Sequence, residues 1–125
     1  MPSVVQRKSY GSVTVFWLDR DEALRRVRAA AERLGRERPE VRFVGLFGSL
    51  ARGTAVPGSD ADVILVVGRS DERFIDRPLR YLPYFDDVGL GVDLFCYTPE
   101  EVPRAPLARQ ALAEAVPLWG RAPGT

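Results

Sequence analysis

The apolar run at residues 41–47 (VRFVGLF) restricts the possible folds of this chain more than any other feature. It is apolar nearly throughout, which is typical of a central strand that is covered on both faces of a sheet. Residues 62–67 (DVILVV) and residues 88–97 (VGLGVDLFCY) predict two more strands. The chain therefore needs helices to cover such a sheet.

Helical periodicity is present on either side of these strands. Apolar residues recur at helical spacing after residue 21 and stop near Gly35 or Pro39 (Leu24, Val27, Ala31 and Leu34). A second helix is predicted at residues 107–116. Residues 71–85 are compatible with a helix, which Pro78 and Pro83 would interrupt.

Two further strands are predicted, at residues 12–18 and, briefly, at Leu118 and Trp119. The first of them either completes the sheet, which is the favoured interpretation, or presents Trp17 at an association edge. We predict an α+β (α/β-like) fold: a single domain at residues 1–125 with a mixed, mostly antiparallel sheet of four to five strands and flanking helices. The core would span residues 19–119, and residues 1–18 would be an N-terminal extension.

Composition excludes several classes of function. The chain has no histidine, so catalytic triads, zinc sites and general bases that depend on histidine are excluded, and carboxylates remain as metal ligands. The single cysteine, Cys96, cannot form an internal disulfide, and it is interpreted as a small buried hydrophobe in a reducing compartment. A net charge of +1 favours a small phosphate ligand over a long nucleic acid. Without an apolar stretch long enough for a bilayer, and without a signal segment, we expect no membrane contact and a cytoplasmic protein.

Asp60 and Asp62 stand two positions apart at the head of the run at residues 62–67. Side chains at positions i and i+2 of a strand point to the same face, so both carboxylates can reach one cation site. A pair of like charges is unfavourable unless a cation or a proton lies between them. The pair therefore favours a metal site; the alternative is a loop that Ser59 or Asp60 caps.

Asp93 interrupts an apolar strand, where a charge is costly unless something compensates it. If this strand lies beside the strand of Asp62, all three carboxylates can surround one place. Such a set suits two Mg²⁺ ions about 3.5–4 Å apart, which hold the oxygens of a phosphoryl displacement. The alternative is a solvent-facing edge residue, and Asp86 and Asp87 are rival carboxylates in a turn.

The Gly48-Ser49 pair follows the run at residues 41–47. Glycine allows a phosphate to approach the backbone, and the N–H groups of a helix that begins there would point at the phosphate. Arg52 could add a bidentate contact to phosphate oxygens. These residues predict a triphosphate-binding turn beside the carboxylates.

Together these segments resemble the nucleotidyltransferase superfamily of DNA polymerase beta. The motifs are Gly48-Ser49-Leu50-Ala51-Arg52-Gly53, Ser59-Asp60-Ala61-Asp62 and Val92-Asp93-Leu94. The resemblance covers residues 41–97 and is greatest to the minimal nucleotidyltransferases. These include MNT antitoxins paired with HEPN proteins and relatives of the kanamycin nucleotidyltransferase catalytic domain. It implies a palm-like fold.

The resemblance also implies roles for individual residues. Gly48 and Ser49 would bind the nucleoside triphosphate, with Arg52 as a phosphate neighbour or a salt-bridge anchor of the loop. Asp60 and Asp62 would ligate two Mg²⁺ ions. Asp93 would complete the metal site and help to activate the acceptor hydroxyl.

The implied reaction is transfer of a nucleoside monophosphate, AMP from ATP or the equivalent from another NTP, with release of pyrophosphate. Larger relatives carry a helical domain that holds the base or the acceptor, so here the acceptor side would be supplied by a HEPN-type toxin or by a second copy of this chain. In the first case the protein acts as an antitoxin that modifies the toxin. Two alternatives remain: a module that masks the toxin without chemistry, and a regulatory subunit whose carboxylates hold a structural cation.

Overall fold

A computed structural model describes residues 3–123 and shows two sheets. The first is an antiparallel hairpin of β1 (Val5–Tyr10) and β2 (Val13–Leu18). The second has the order β5-β4-β3-β6, in which β4 and β5 are parallel and the other neighbours antiparallel. Its strands are β3 (Val41–Phe47), β4 (Ala61–Val67), β5 (Val92–Tyr97) and β6 (Val116–Gly120). The predicted α+β fold with a mixed, mostly antiparallel sheet is confirmed. The predicted domain bounds also include residues 1, 2, 124 and 125, which lie outside the described residues.

In the described part of the chain, four α-helices accompany the sheets. Short 3₁₀ turns fill the segments between β4 and β5 and between β5 and the last helix. The α-helices are α1 (Arg20–Glu37), α2 (Gly48–Arg52), α3 (Pro78–Tyr81) and α4 (Pro106–Glu114). Pro78 begins α3 and Pro83 lies in a 3₁₀ turn, so the prolines break residues 71–85 into short pieces as expected. Within residues 3–123, none of the helices has both the length and the apolar character required to cross a bilayer.

The central strands β3 and β4 are buried on both faces, as their apolar sequences predict. Helix α1 covers one face through residues that include Val27 and Leu34, which join Val63 and Leu65 of β4 in one core cluster. Helix α4 covers the other face. There Ala108 and Ala111 join alternate residues of the strands (Phe43, Phe47, Ile64 and Val66). The two faces of the sheet thus have separate cores, and any site on the second face lies beside α4.

The strand at residues 12–18 does not complete the main sheet, so the favoured prediction for it was wrong. It pairs instead with β1, through a two-residue connection in which Gly11 has φ +61°. A connection of this length strongly favours a local hairpin, and β1 was missed because its sequence is mostly polar. Both strands are largely exposed, including the large apolar side chains Tyr10, Val13, Val15, Phe16 and Trp17. The alternative prediction, an association surface at Trp17, remains a prediction.

Several element boundaries also differ from prediction. Strand β5 begins at Val92 instead of residue 88, because Gly89 has φ +85° and the chain bends at residues 88–90. Helix α4 ends at Glu114, and the final strand is longer than predicted, beginning at Val116. Glu114 is therefore the last helical residue before the chain becomes extended.

Cys96 is completely buried in β5. Burial raises the pKa of its thiol to about 12, so the thiol is protonated at neutral pH. A protonated and inaccessible thiol is a poor nucleophile. The interpretation of Cys96 as a small buried hydrophobe is confirmed.

A partly buried ion pair anchors the chain between β5 and α4. The Arg77 side chain is 8% exposed, and its Nη1 atom donates to Glu101 Oε1 at 2.5 Å and to the Cys96 carbonyl oxygen at 3.2 Å. The hydrogen bond from Arg77 is the largest effect that lowers the pKa of Glu101, to about 2. The folded protein therefore favours the ionised form of Glu101 more than the unfolded chain does.

We expect Glu101→Gln to reduce stability at neutral pH by about 1 kcal/mol, since the exposed part of the pair is screened by solvent. Because folding lowers the pKa of Glu101, its contribution is present above the ordinary value of 4.5 and is lost as the pH falls toward about 2. Urea unfolding between pH 7 and pH 2 should show the difference between wild type and variant shrinking through this window. Glu100→Gln, at an exposed neighbour, should have no such effect; a difference that stays constant with pH would contradict the assignment.

Candidate active site

The parallel pairing of β4 and β5 brings Asp62 and Asp93 side by side. They are direct partners in the register, so their side chains point to the same face of the sheet. Two positions along each strand, Ile64 and Phe95 pack into the core on the α4 face. By the same alternation both carboxylates project toward the α4 side, at the end of the sheet where β4 and β5 begin. The strand of Asp93 thus lies beside the strand of Asp62, which was the condition for bringing these carboxylates together.

Asp60 lies just before β4 and is exposed. Its Oδ1 atom lies against Gly91, where an added Cβ would come within 2.3 Å of it. The Gly91 carbonyl oxygen accepts a hydrogen bond from Ala61 N–H at 2.8 Å, which fixes this approach. Asp60 thus lies beside Gly91, which precedes Asp93 by two positions at the start of β5.

The neighbouring carboxylates act electrostatically on Asp62. Burial is the largest cause that raises the pKa of Asp62, followed by the negative charges of Asp93 and Asp60, while Arg52 opposes them. The anionic form of Asp62 is therefore penalised in the folded protein. A cation at this place would relieve that penalty.

The carboxylates of this region supply only part of the ligand set that Mg²⁺ requires. Within residues 3–123, no three Asp, Glu or Cys side chains converge closely enough to hold a metal ion by themselves. Mg²⁺ commonly uses one or two carboxylates and takes its remaining ligands from water and substrate phosphate. Asp62 and Asp93, with Asp60 beside them, fit a cation that is bound together with a phosphate.

Gly48 packs directly against Asp62. It has φ +75°, and an added Cβ would lie 2.1 Å from Asp62 Oδ2. Both the backbone conformation and the contact exclude a larger residue. The turn predicted to bind phosphate and the carboxylates predicted to bind metal are therefore neighbours.

The helix that begins at Gly48 has only five residues, so its dipole is short. Ser49 is half-buried and its carbonyl oxygen accepts from Thr54 N–H at 3.0 Å. Arg20, which sequence reasoning had not singled out, holds the turn. Its guanidinium donates to the carbonyl oxygens of Leu50 at 3.1 Å and Ala51 at 3.2 Å.

Arg52 lies at the edge of this site with its side chain 56% exposed. Its Nη1 atom is 3.4 Å from Glu114 Oε1. Of the two roles considered for Arg52, the structure shows the ion pair. The positive charge of the same guanidinium partly offsets the rise in the pKa of Asp62, so Arg52 also lies within electrostatic range of that carboxylate.

A cavity of about 240 Å³ joins the turn, Asp62 and α4. It is lined by Phe47, Gly48, Arg52, Asp62, Leu107, Gln110, Ala111 and Glu114. Sequence reasoning missed the contribution of α4. The available signal was the mixture of apolar and polar residues on one helical face, at positions 107, 110, 111 and 114.

Asp86 and Asp87, the rival carboxylates, are exposed in the turn before β5. Asp87 lines a different cavity, between α1 and the 3₁₀ turn at Leu82–Phe85. The lining of that cavity includes none of Asp60, Asp62 and Asp93.

Comparison with known proteins gives one family and several similar folds. The family model described as a nucleotidyltransferase domain matches residues 25–116. No curated protein sequence matches the chain significantly. Among solved structures, a protein from Sulfolobus solfataricus that has been proposed to be a nucleotidyltransferase is 23% identical. It has a TM-score of 0.61, and the match covers 82% of this chain and 84% of that one.

Two toxin–antitoxin structures have a similar fold. One, determined with AMP-PNP, is 24% identical with a TM-score of 0.59. The other, a mutant of the toxin–antitoxin MntA-HpeT, is 20% identical with a TM-score of 0.56. Each match covers 75% of this chain and 73% of the other.

Proposed function

Because this chain belongs to the nucleotidyltransferase domain family, we propose that it transfers AMP from ATP to a hydroxyl group of a HEPN-type toxin and so acts as an antitoxin. The class of enzyme predicted from the three motifs is confirmed by the family match over residues 25–116. The observation that most supports the proposal is the register pairing of Asp62 with Asp93 on the face where Gly48 meets Asp62.

The proposed chemistry is an in-line displacement at the α-phosphorus. The acceptor oxygen forms a bond to the α-phosphorus, the bond to the bridging oxygen breaks, and pyrophosphate leaves. The proton of the acceptor hydroxyl passes to Asp93, which is exposed and therefore reachable. This assignment gives Asp93 a role in addition to binding metal.

The remaining residues bind the substrate and its cations. Asp60, Asp62 and Asp93 would hold two Mg²⁺ ions, which would neutralise phosphate charge and orient the reacting oxygens. Gly48 N–H, Ser49 and Arg52 would bind the triphosphate on the other side of Asp62. The cavity beside α4 provides the space between these groups.

The choice of base and acceptor is supported by the similar structures. One of them is a toxin–antitoxin determined with AMP-PNP, an analogue of ATP, and another is also a toxin–antitoxin pair. A second copy of this chain is the other acceptor considered. The exposed apolar residues of the β1–β2 hairpin are compatible with a protein contact of either kind.

The proposal predicts which label moves. The purified chain, the protein encoded by the adjacent gene and MgCl₂ would be incubated with ATP that carries ³²P at the α-phosphate or at the γ-phosphate. We expect the α-label alone to appear on the neighbour, because the β- and γ-phosphates leave together as pyrophosphate. Excess unlabelled ATP should compete better than GTP, CTP or UTP.

Three outcomes would contradict parts of this proposal. Transfer of the γ-label would mean phosphoryl transfer instead of nucleotidyl transfer. Label on this chain alone would favour a second copy as acceptor. Suppression of the toxin without any label would favour the masking module.

A further inference from the structure

Glu114 is a carboxylate in the proposed triphosphate site that the proposed reaction does not use. It is the last residue of α4 and lines the cavity between that helix, Gly48 and Asp62. Its Oε1 atom accepts a hydrogen bond from Gly48 N–H at 3.4 Å and from Arg52 Nη1 at 3.4 Å. A single carboxylate oxygen thus lies between the two donors assigned to the substrate phosphates.

We infer that Glu114 takes the place of a phosphate oxygen in the nucleotide-free protein and must move away when a nucleoside triphosphate binds. This inference rests on the proposed function, because it concerns the same donors. Carboxylate and phosphate oxygens are both anionic acceptors, and they compete for the same N–H groups. Two anions cannot share one backbone N–H and one guanidinium without strong repulsion.

The geometry of Glu114 allows this exchange. Both contacts are at the long end of the hydrogen-bond range, so they are weak and easily replaced. The Glu114 side chain is 34% exposed, which leaves it a path into solvent. Ala115 is already extended, so the side chain can rotate at the helix end without unwinding α4.

Glu114 also changes the charge of the site. Asp62 already places a carboxylate against Gly48, and the charges of Asp93 and Asp60 act on Asp62. Glu114 pairs with Arg52, the cation that opposes those charges at Asp62. A polyphosphate that enters must therefore displace one anion and take over its cation. Anions that bind weakly therefore do not displace Glu114, whereas ligands that offer several phosphate oxygens at once do.

The test is a binding measurement on the intact chain. Isothermal titration calorimetry with inorganic tripolyphosphate and with ATP, in MgCl₂, would compare wild type with Glu114→Gln. Glutamine has the same shape without the charge, so it removes the repulsion between this side chain and the entering phosphates, and we expect both ligands to bind about 10-fold more tightly. Adenosine, which has no phosphate, should bind equally to both proteins. Glu100→Gln removes an exposed carboxylate on the turn after β5 and should leave every affinity unchanged.

Unchanged or weaker binding of tripolyphosphate by Glu114→Gln would overturn the inference. Weaker binding together with a lower Tm would show that Glu114 only braces the turn. If wild type binds ATP and the variant binds it no more tightly, the inference fails and the proposed function stands. If wild type and variant are folded and neither binds ATP or tripolyphosphate, the inference and the proposed function both fail.

Discussion

Asp62→Asn is expected to reduce nucleotidyl transfer by at least about 100-fold and to raise the thermal stability of the nucleotide-free protein. Activity should fall because Asp62 is the carboxylate that lies between Asp93, its register partner, and Gly48. Asparagine keeps the shape but loses the charge that would hold Mg²⁺. Transfer of α-labelled phosphate to the toxin partner measures the first effect.

The gain in stability follows from the sign of the pKa shift. Burial, then the charges of Asp93 and Asp60, raise the pKa of Asp62 above its value in the unfolded chain. Folding therefore favours the protonated form, and the contribution of this group is lost as the pH rises and Asp62 ionises. The neutral asparagine avoids that loss, so its Tm at pH 7 should exceed that of wild type. The two proteins should become similar in stability at acid pH.

Asp86→Asn is the matched control, because Asp86 is an exposed carboxylate in the turn before β5. It should change neither transfer nor Tm. Binding of the toxin partner by Asp62→Asn should be unaffected, which separates chemistry from association. Normal transfer by Asp62→Asn would contradict the assignment of the site, and a lower Tm would contradict the electrostatic account of Asp62.

Gly48→Ala is expected to destabilise the fold by about 2 kcal/mol or more and to abolish transfer. At φ +75° any side chain is strained, and the new Cβ would lie 2.1 Å from Asp62 Oδ2. The carboxylate or the turn must therefore move, and each movement separates the proposed metal site from the triphosphate site. Urea unfolding and the transfer assay measure the two effects.

Gly58→Ala separates strain from contact. Gly58 has φ +94°, but nothing lies within 4 Å of the position of an added Cβ. We expect this variant to show the cost of the strained backbone, about 1 kcal/mol, with transfer retained within about threefold. If Gly48→Ala lost no more stability and no more transfer activity than Gly58→Ala, the close packing of Gly48 on Asp62 would not be required for function.

The central sheet was predictable because burial on both faces produces unbroken apolar sequences. Residues 41–47 and 62–67 have such sequences, and their strands lie in the middle of the sheet. The relation between Asp62 and Asp93 was conditional, since sequence alone does not fix which strands are neighbours. The parallel register between β4 and β5 supplied that information.

Two features could not be predicted for physical reasons. Strand β1 has exposed polar residues and no apolar alternation, so its pairing with β2 depends on the turn at Gly11. Glu114 is 66 residues from Gly48 in sequence, and their contact arises only when α4 packs across the second face of the sheet. A charged residue at a helix end ordinarily indicates nothing more than a solvated surface.

The most direct test of the central claim is crystallography with Mn²⁺ and a non-hydrolysable ATP analogue. Anomalous scattering locates Mn²⁺ without assumptions about its ligands. We expect an anomalous peak about 2.0–2.3 Å from oxygens of Asp62 and Asp93, with the triphosphate against Gly48 and the Glu114 carboxylate displaced. A bound triphosphate whose Mn²⁺ lies away from both aspartates would contradict the claim that these carboxylates and the glycine turn form one catalytic centre.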